Sequence, residues 1–288
     1  MSKLFFSLSF SLFVLMFFLS SCKKDDGDVS FDEPKYESVS AKYEILSEYS
    51  PYKSIELGAS GDYIVVTSSY VSEMSRSLGV NRNGVFGNIG LNSKSRGTNY
   101  NGVIYGRYTQ LENGDFDLEG FGVVKVLYGE DNQVNALSIT PVGGEEIEFD
   151  VEKVEVMDDN ELTNSLCRTW IFEKIRVVAY QGNKKIMDEY VDNDDFEYFG
   201  VEISEVLFSK SGTYMVRYGD ETLGIASWKW KDMDDRTLYY TWDGEWYDDS
   251  IVQISFEGNS LVFYEESDDF AEFDDFDRIG IYTYLKEK

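Results

Sequence analysis

One strand-turn-strand pattern occurs twice in the chain and limits the folds open to it. Residues 55–65 align with residues 206–216, at an offset of 151, and each segment has an apolar run, a Ser-Gly turn and a second apolar run. A tyrosine follows the turn glycine by two positions, Tyr63 in the first copy and Tyr214 in the second. Glycine favours the positive φ that a tight β-hairpin requires. We therefore expect two copies of one antiparallel unit.

Two further matches extend the repeat on either side of the hairpin. Tyr43 aligns with Trp170 at an offset of 127, and residues 102–118 align with residues 224–240 without a gap at an offset of 122. These segments contain many aromatic and β-branched residues, which are enriched in strands. We interpret the pattern as a duplicated β domain; a chance match between common hairpins is the alternative.

The changes of offset predict two insertions. The first unit has 29 additional residues (151 − 122) between Val66 and Gly102, a glycine- and asparagine-rich stretch. We interpret it as a long loop at 67–101 that is either functional or mobile. The second unit has 24 additional residues (151 − 127) between Ile175 and Val206. The sequence thus predicts common strands joined by loops of different lengths.

The residue composition favours an all-β protein. Aromatic residues make up 16% of the chain, which has 24 glycines but only 3 prolines. Aromatic and β-branched runs separated by Gly, Asn and Asp are typical of short antiparallel strands. We predict two tandem antiparallel meander barrels or barrel-like sheets, over residues 36–156 and residues 162–288.

The net charge of −28 argues against binding to nucleic acid, whose phosphates require a basic surface. Mutual repulsion that keeps the protein soluble is the simplest interpretation, and a cationic partner or calcium is the alternative. Three acidic clusters lie at 192–197, 232–235 and 268–277. None of them has the turn glycine of a calcium-binding loop, so we interpret them as solvated loops. We predict no metal site and no cofactor.

The chain has no histidine and two cysteines. This excludes Ser-His-Asp and Cys-His catalysis and the usual histidine-bearing zinc sites. Cys167 begins an apolar strand, where a free cysteine is usually a small core residue. Paired carboxylates can hydrolyse glycosides, but nothing in the sequence selects one pair. We therefore name no catalytic residue and expect a protein that is not an enzyme.

The N-terminus has the features of an export signal. Lys3 precedes an apolar segment at 4–19, and Ser20 and Ser21 lead to Cys22. This order is typical of a cleaved signal at 1–21, and the apolar segment is short for a membrane span. The segment resembles the lipobox of bacterial lipoproteins, which implies a lipid on Cys22. The acidic residues that follow resemble the signal that sends lipoproteins to the outer face of the outer membrane. We interpret 22–35 as a flexible tether.

An early tryptophan on a strand, followed by hairpins within about 120 residues, resembles a lipocalin-like (calycin) domain, best over 162–288 and less closely over 36–155. The resemblance implies an up-and-down barrel whose cavity holds a small apolar ligand. Lipocalins have a glycine two positions before the tryptophan and a late arginine over its ring. Here Arg168 precedes Trp170 in the glycine position, and Lys42-Tyr43 replaces the motif in the first unit. Only Lys286 is placed to act as the late cation.

Aromatic residues of the second domain are the candidate ligand-binding residues. Alternation along the strand predicts that Trp228 and Trp230 share one face and that Lys229 and Lys231 share the other. Either these rings form the core or they line a ligand cavity. Trp246 and Tyr247 suggest a sugar-stacking platform at the rim. The candidates for ligand binding are Trp228, Trp230, Tyr240, Trp242 and Trp246.

These features together predict a lipid-anchored, surface-exposed protein of the outer membrane that acts as a non-enzymatic binding or accessory module. The expected partner is a small apolar ligand, a glycan or an outer-membrane protein. A carboxylate-based extracellular glycoside hydrolase and a purely structural or adhesive surface protein are the alternatives.

Overall fold

The computed structural model describes residue 36 and residues 39–68, 102–192, 203–219, 223–242, 244–248, 250–267 and 277–288. The predicted signal, the tether with Cys22 and nearly all of the predicted loop at 67–101 lie outside these residues. Within the described ranges we find no helix with the length and apolar character that a bilayer span requires.

The first domain is a closed barrel of eight antiparallel strands. Each strand pairs with the next one along the chain, and the last pairs with the first. Residues Tyr43–Ile45 of the first strand pair with residues Val151–Lys153 of the last. The strands are β1 (Ala41–Ile45), β2 (Tyr52–Leu57), β3 (Asp62–Thr67), β4 (Val103–Gln110), β5 (Phe116–Leu118), β6 (Gly122–Tyr128), β7 (Val134–Pro141) and β8 (Ile147–Lys153).

The second domain begins with a short helix and forms a second barrel. Eight strands, β9 and β11 to β17, follow one another around the barrel, and β17 pairs back onto β9. This confirms the prediction of two tandem antiparallel meander barrels. The elements are α1 (Glu161–Leu166), β9 (Thr169–Gln181), β10 (Lys184–Asp192), β11 (Ile203–Phe208), β12 (Thr213–Tyr218), β13 (Leu223–Asp232), β14 (Thr237–Thr241), β15 (Ile251–Glu257), β16 (Ser260–Ser267) and β17 (Arg278–Glu287).

Strand β10 lies outside the barrel order. The first three residues of β9, 169–171, pair with β11, whereas residues 174–181 pair with β10 on the same edge. The 13-residue strand β9 therefore runs past the barrel and carries an additional hairpin strand. The 24-residue insertion that the sequence places between Ile175 and Val206 was expected to be a loop, and this is wrong for its first part, which is β10.

The strand register supports two of the three alignments between the domains. Leu57 pairs with Tyr63 in the first barrel and Phe208 pairs with Tyr214 in the second, which confirms the offset of 151. Both turn glycines have positive φ, +83° at Gly61 and +78° at Gly212. Tyr43 lies opposite Ile55, and Trp170 lies opposite Val206, which confirms the offset of 127.

The third alignment is wrong by two residues along β4. Asp62 pairs with Arg107 and its counterpart Thr213 pairs with Ser227, so the offset from β4 to β13 is 120 rather than 122. The offset of 122 holds again from β5 to β14. The β13–β14 connection therefore has two additional residues, and the first-unit insertion is 31 residues (151 − 120). A shift of two residues keeps every side chain on the same face, so the apolar pattern could not detect it.

Each barrel has its own core of inward-pointing side chains. Tyr43 and Trp170 occupy equivalent positions in the two cores and are 5% and 0% exposed. Helix α1 packs against the second core, because the Trp170 indole donates to the carbonyl of Leu166 over 2.9 Å and the Trp230 indole donates to the hydroxyl of Thr163 over 3.0 Å.

The cation over Trp170 comes from a residue that the sequence analysis did not assign to this role. The Cζ atom of Arg168 lies 6.0 Å from the centroid of the Trp170 ring, and its guanidinium donates to the carbonyls of Asn164 and Ser165. Lys286, the expected late cation, is exposed. The expectation for Lys286 is therefore wrong, and the buried Arg168 covers the ring from the N-terminal side of β9.

The two barrels pack together through equivalent faces. A separate apolar cluster joins Ile64 and Val103 of the first barrel to Leu207 and Met215 of the second. By the offset of 151, Met215 is the counterpart of Ile64. Two polar contacts accompany the cluster: Lys42 Nζ donates to Thr213 Oγ1 over 3.1 Å, and Thr169 Oγ1 donates to Asp62 Oδ2 over 2.8 Å. The interface thus resembles the self-complementary contact of a two-fold dimer.

Candidate functional site

Most of the predicted ligand-binding aromatics lie in the core of the second barrel. Trp228, Tyr240 and Trp242 are 2%, 6% and 8% exposed, and Trp230 is partly buried against the same cluster. The neighbouring Lys229 and Lys231 are exposed, so the predicted alternation along β13 is confirmed. These rings face the barrel interior together, whereas Trp246 lies apart from them on the surface.

Aromatic rings occupy the interior of the second barrel. Phe208 stacks on Tyr214 at 4.7 Å and meets Trp228 edge to face at 5.4 Å, and Tyr214 lies 5.6 Å from Trp242. The Trp228 indole donates to the carbonyl of Ser209 over 2.9 Å. Among the described residues, the hydroxyl of Tyr214 is buried without a hydrogen-bond partner, and one water molecule would satisfy it. The role of these rings in binding a ligand stays a prediction.

Trp246 is the candidate that the structure places on the surface. It is 40% exposed, and Lys229 Nζ lies 4.1 Å from the centroid of its ring. Tyr239 meets it edge to face at 6.4 Å. The ammonium stabilises one face of the indole by a cation–π contact. In the small patch formed by Trp246, Tyr239 and Lys229, the indole of Trp246 is the ring that could stack against a sugar.

A larger aromatic surface lies on the other strands of the same barrel, where the sequence analysis named no residue. Strand register sets Tyr190, Arg176, Tyr282 and Tyr264 side by side across four neighbouring strands. Tyr190 is 56% exposed. We call this outer surface of β10, β9, β17 and β16 the tyrosine–arginine face; it comprises Lys174, Arg176, Tyr180, Lys185, Asp188, Tyr190, Tyr264, Glu266, Arg278, Gly280, Tyr282 and Tyr284.

Cations alternate with rings across this face. The Arg176 guanidinium carbon lies 5.9 Å from the Tyr190 centroid and 5.4 Å from the Tyr282 centroid. Lys174 Nζ lies 5.0 Å from the Tyr190 ring and 5.1 Å from the Tyr284 ring. Tyr264 and Tyr282 lie 4.7 Å apart. Because each ring has a cation or another ring beside it, the side chains hold one another in place.

An ion pair fixes the central arginine. Arg176 Nε and Nη2 donate to the two carboxylate oxygens of Asp188 over 2.6 and 2.8 Å. Hydrogen bonds from Arg176 and then Lys185 hold the pKa of the Asp188 carboxyl well below its usual range, and the same bond with Asp188 raises the pKa of Arg176. A bidentate pair of this kind fixes the plane of the guanidinium. Arg176 is therefore pre-oriented between its two tyrosines.

A glycine supports one end of the row. Gly280 lies on β17 beneath the Tyr264 ring, and a Cβ atom at this position would lie 2.9 Å from Tyr264 Cε2. The Tyr264 hydroxyl donates to Glu266, and burial, followed by that carboxylate, raises the pKa of Tyr264. The ring therefore packs directly over Gly280, and its position depends on the absence of a side chain there.

The sequence contains a weak signal for this face. Lys174 and Arg176 alternate along β9, and Tyr282 and Tyr284 alternate along β17, which places each pair on one side of its strand. Nothing in the sequence pairs β9 with β17, however, since 96 residues (278 − 182) separate the end of one strand from the start of the other. Barrel closure brings the two pairs together.

The described acidic cluster at 232–235 forms its own turn. The Asp232 carboxylate accepts from the backbone N–H groups of Asp234 and Asp235 over 2.9 and 3.1 Å. Within the described part of the chain, no group of three or more acidic or cysteine side chains is placed to hold a metal ion. The clusters at 192–197 and 268–277 lie almost wholly outside the described residues, so calcium binding there stays untested.

Comparisons with known proteins do not identify a family. No family model and no curated protein matches this sequence. One solved structure that it resembles is a protein of unknown function of the DUF3598 family from Nostoc punctiforme, which is 10% identical. The alignment covers 86% of this chain and 93% of that chain with a TM-score of 0.21, and at that score it informs neither fold nor function.

Proposed function

We propose that this protein is a lipid-anchored, surface-exposed binding module of the outer membrane that holds glycan chains on its tyrosine–arginine face and catalyses no reaction. The observation that supports a glycan on this face is the row of Tyr190, Arg176, Tyr282 and Tyr264 on the outside of the second barrel. The aromatic packing of the barrel interior favours a ligand on the outer surface over a small apolar ligand inside.

The face suits a saccharide for two physical reasons. Flat tyrosine rings pack against the apolar C–H faces of sugar rings, while their hydroxyls remain available to the sugar hydroxyls. Four cations, Lys174, Arg176, Lys185 and Arg278, lie among the rings, beside the carboxylates of Asp188 and Glu266. We therefore expect a preference for acidic glycans over neutral ones.

The anchor is supported by the sequence at the N-terminus. A lipid on Cys22 and the polar stretch at 22–35 would hold the barrels outside the membrane. Mass spectrometry of the mature protein tests this part of the proposal. We expect an acylated Cys22 as the first residue; a mature chain that begins elsewhere would contradict it.

Glycan-array binding with purified protein tests the ligand. Tyr190→Ala removes the most exposed ring of the row, and we expect about a tenfold loss of affinity, as the removal of about 1.4 kcal/mol would cause. Tyr49→Ala is the matched control, because Tyr49 is 91% exposed on the first barrel and should leave binding unchanged. If the unmodified protein gives no binding above background, the proposal that it binds glycans is wrong. Loss of binding in Trp246→Ala but not in Tyr190→Ala would move the site to the Trp246 patch.

A further inference from the structure

A polar cleft of about 180 Å³ lies where the two barrels meet. Residues of β3, β4, β9 and β17 line it, together with Ser60, Arg168 and Lys288, which lie within two residues of the ends of these strands, and all of them are polar or charged. An engineered protein cavity of about 150 Å³ holds benzene, so this cleft has room for about six to eight non-hydrogen atoms. Ligand sites are frequent at domain interfaces.

The side chains that line the cleft include more cations than carboxylates, whereas the whole protein is strongly acidic; Glu205, just outside the lining, pairs with one of these cations, Lys288. Three cations line it, Arg107, Arg168 and Lys288, against two carboxylates, Asp62 and Glu287. The chain as a whole has a net charge of −28. At physiological ionic strength charges are screened over about 8 Å, so the charges lining the cleft matter more to a ligand there than the distant acidic surface does.

Both carboxylates of the cleft are already engaged by the protein. Asp62 is 1% exposed and accepts from Arg107 Nη1 over 2.8 Å, from Thr169 Oγ1 over 2.8 Å and from Ser60 Oγ over 3.0 Å. Glu287 accepts from Arg168. An entering anion therefore meets two carboxylates that already accept hydrogen bonds, each from one arginine of the cleft.

Two cations keep donors for a ligand. Arg107 is 52% exposed and uses one of its five N–H groups on Asp62. Lys288 is 35% exposed and pairs with Glu205 over 2.8 Å, which engages one of its three N–H groups. Because Asp62 anchors Arg107, the guanidinium is pre-oriented at the edge of the cleft, and less entropy is lost when an anion binds it.

We propose that the cleft between the barrels binds a small organic dicarboxylate, with one carboxylate on the Arg107 guanidinium and the other on the Lys288 ammonium. The planar fork of an arginine matches a carboxylate in a bidentate manner. A dicarboxylate with a short aliphatic spacer has about eight non-hydrogen atoms, which fits the room in the cleft. This site is independent of the tyrosine–arginine face and of any glycan bound there.

Isothermal titration of the purified full-length protein with succinate tests the proposal. Lys288→Ala should weaken binding about tenfold, since hydrogen bonds to charged groups contribute at least that factor. Lys125→Ala is the matched control: it removes the same charge from an exposed side chain on β6, outside both the cleft and the tyrosine–arginine face, and should leave the affinity unchanged. Arg107→Lys keeps the charge but removes the fork, and it should weaken succinate binding.

The proposal is overturned if titration with succinate up to about 20 mM gives no heat, or if Lys288→Ala and Lys125→Ala bind succinate with equal affinity. Inorganic sulfate binding as tightly as succinate would also overturn the dicarboxylate assignment. Circular dichroism verifies that each variant is folded. If Arg107→Lys is unfolded, the affinity of the Lys288→Ala variant tests the proposal by itself. The Lys288 side chain lies partly in solvent, so its removal should not unfold the protein.

Discussion

The hydroxyl of Thr169, in the second barrel, donates a 2.8 Å hydrogen bond to the carboxylate of Asp62, in the first. Both residues are buried, at 3% and 1% exposure. Arg107 and Ser60 of the first barrel also donate to the same carboxylate. Asp62 thus gains the Thr169 donor only when the two barrels are in contact, which makes this pair a polar link across the interface.

Thr169→Val should therefore destabilise the protein. Valine has the shape of threonine but no hydroxyl, so Asp62 loses one donor while it remains buried. We expect the free energy of unfolding to fall by about 1.5–3 kcal/mol, as for other hydrogen bonds to charged groups. Urea unfolding followed by tryptophan fluorescence measures the change. Thr169→Ser keeps the hydroxyl and is the control; equal stability of the valine and serine variants would refute the role given to this bond.

Glu56→Leu should stabilise the protein. Glu56 is 3% exposed, and among the described residues its Oε1 atom has no hydrogen-bond partner. Lys42 lies opposite it in the sheet but donates to Thr213 of the other barrel. The counterpart of Glu56 at the offset of 151 is Leu207, also 3% exposed. Replacing a poorly paired buried carboxylate by leucine should raise the free energy of unfolding by about 1 kcal/mol. A lower urea midpoint in the variant would contradict this.

Gly122→Ala should cost far more than Gly114→Ala, although both glycines have positive φ, +142° and +92°. A Cβ atom at Gly122 would lie 2.2 Å from the carbonyl oxygen of Thr140, whereas nothing lies within 4 Å of one at Gly114. We expect losses of about 3 kcal/mol and about 1 kcal/mol in the free energy of unfolding. Arg236 occupies the position equivalent to Gly114 with a φ of +52°, so a side chain is tolerated there. Similar midpoints for the two variants would show that the Thr140 contact relaxes.

Stability should decline between pH 10 and pH 12. Burial raises the pKa of Tyr43 to about 12, and burial followed by the charge of Glu119 raises the pKa of Tyr63 to about 12. The unfolded chain therefore loses these protons first, near pH 10, and the stability that is fully present below pH 10 is lost as the pH approaches 12. Tyr43→Phe should reduce the loss at pH 11.5 by about 2 kcal/mol.

Unfolding at pH 9 and pH 11.5 measures this difference. Tyr49→Phe is the control, because that ring meets water in both the folded and the unfolded chain. If the Tyr43→Phe variant and the unmodified protein have the same pH dependence of stability, Tyr43 does not contribute to the loss of stability above pH 10.

The sequence was sufficient for the architecture because the hairpin at the start of each barrel has a local signature. The glycine in a Ser-Gly turn and the tyrosine two positions later depend on neighbouring residues alone, and both copies form as expected, at Gly61 and Gly212. Alternation likewise predicted the two faces of β13 from its own residues. The error of two residues along β4 arose where alternation is the only guide, since such a shift leaves each face unchanged.

The functional surfaces were beyond the sequence because they depend on contacts between distant segments. The tyrosine–arginine face needs β9 to pair with both β10 and β17, and β10 lies in an insertion that lacks a counterpart in the first unit. The cleft needs Arg107 of one barrel beside Lys288 of the other. The tryptophans, in contrast, form a recognisable group in the sequence. The structure places Trp228 and Trp242 of this group in the core of the second barrel.

The pairing of β17 with β9 sets an order of assembly. The first barrel has all of its strands once β8 has been made, whereas the second lacks its closing strand until β17 has been made. N-terminal domains generally fold first as a chain emerges. The second barrel can then pack onto the folded first barrel, because the apolar patch around Ile64 and Val103 is already formed when Leu207 and Met215 are made. A chain cut short before β17 would leave β9 and β16 with bare edges, which invites aggregation of the second half while the first remains intact.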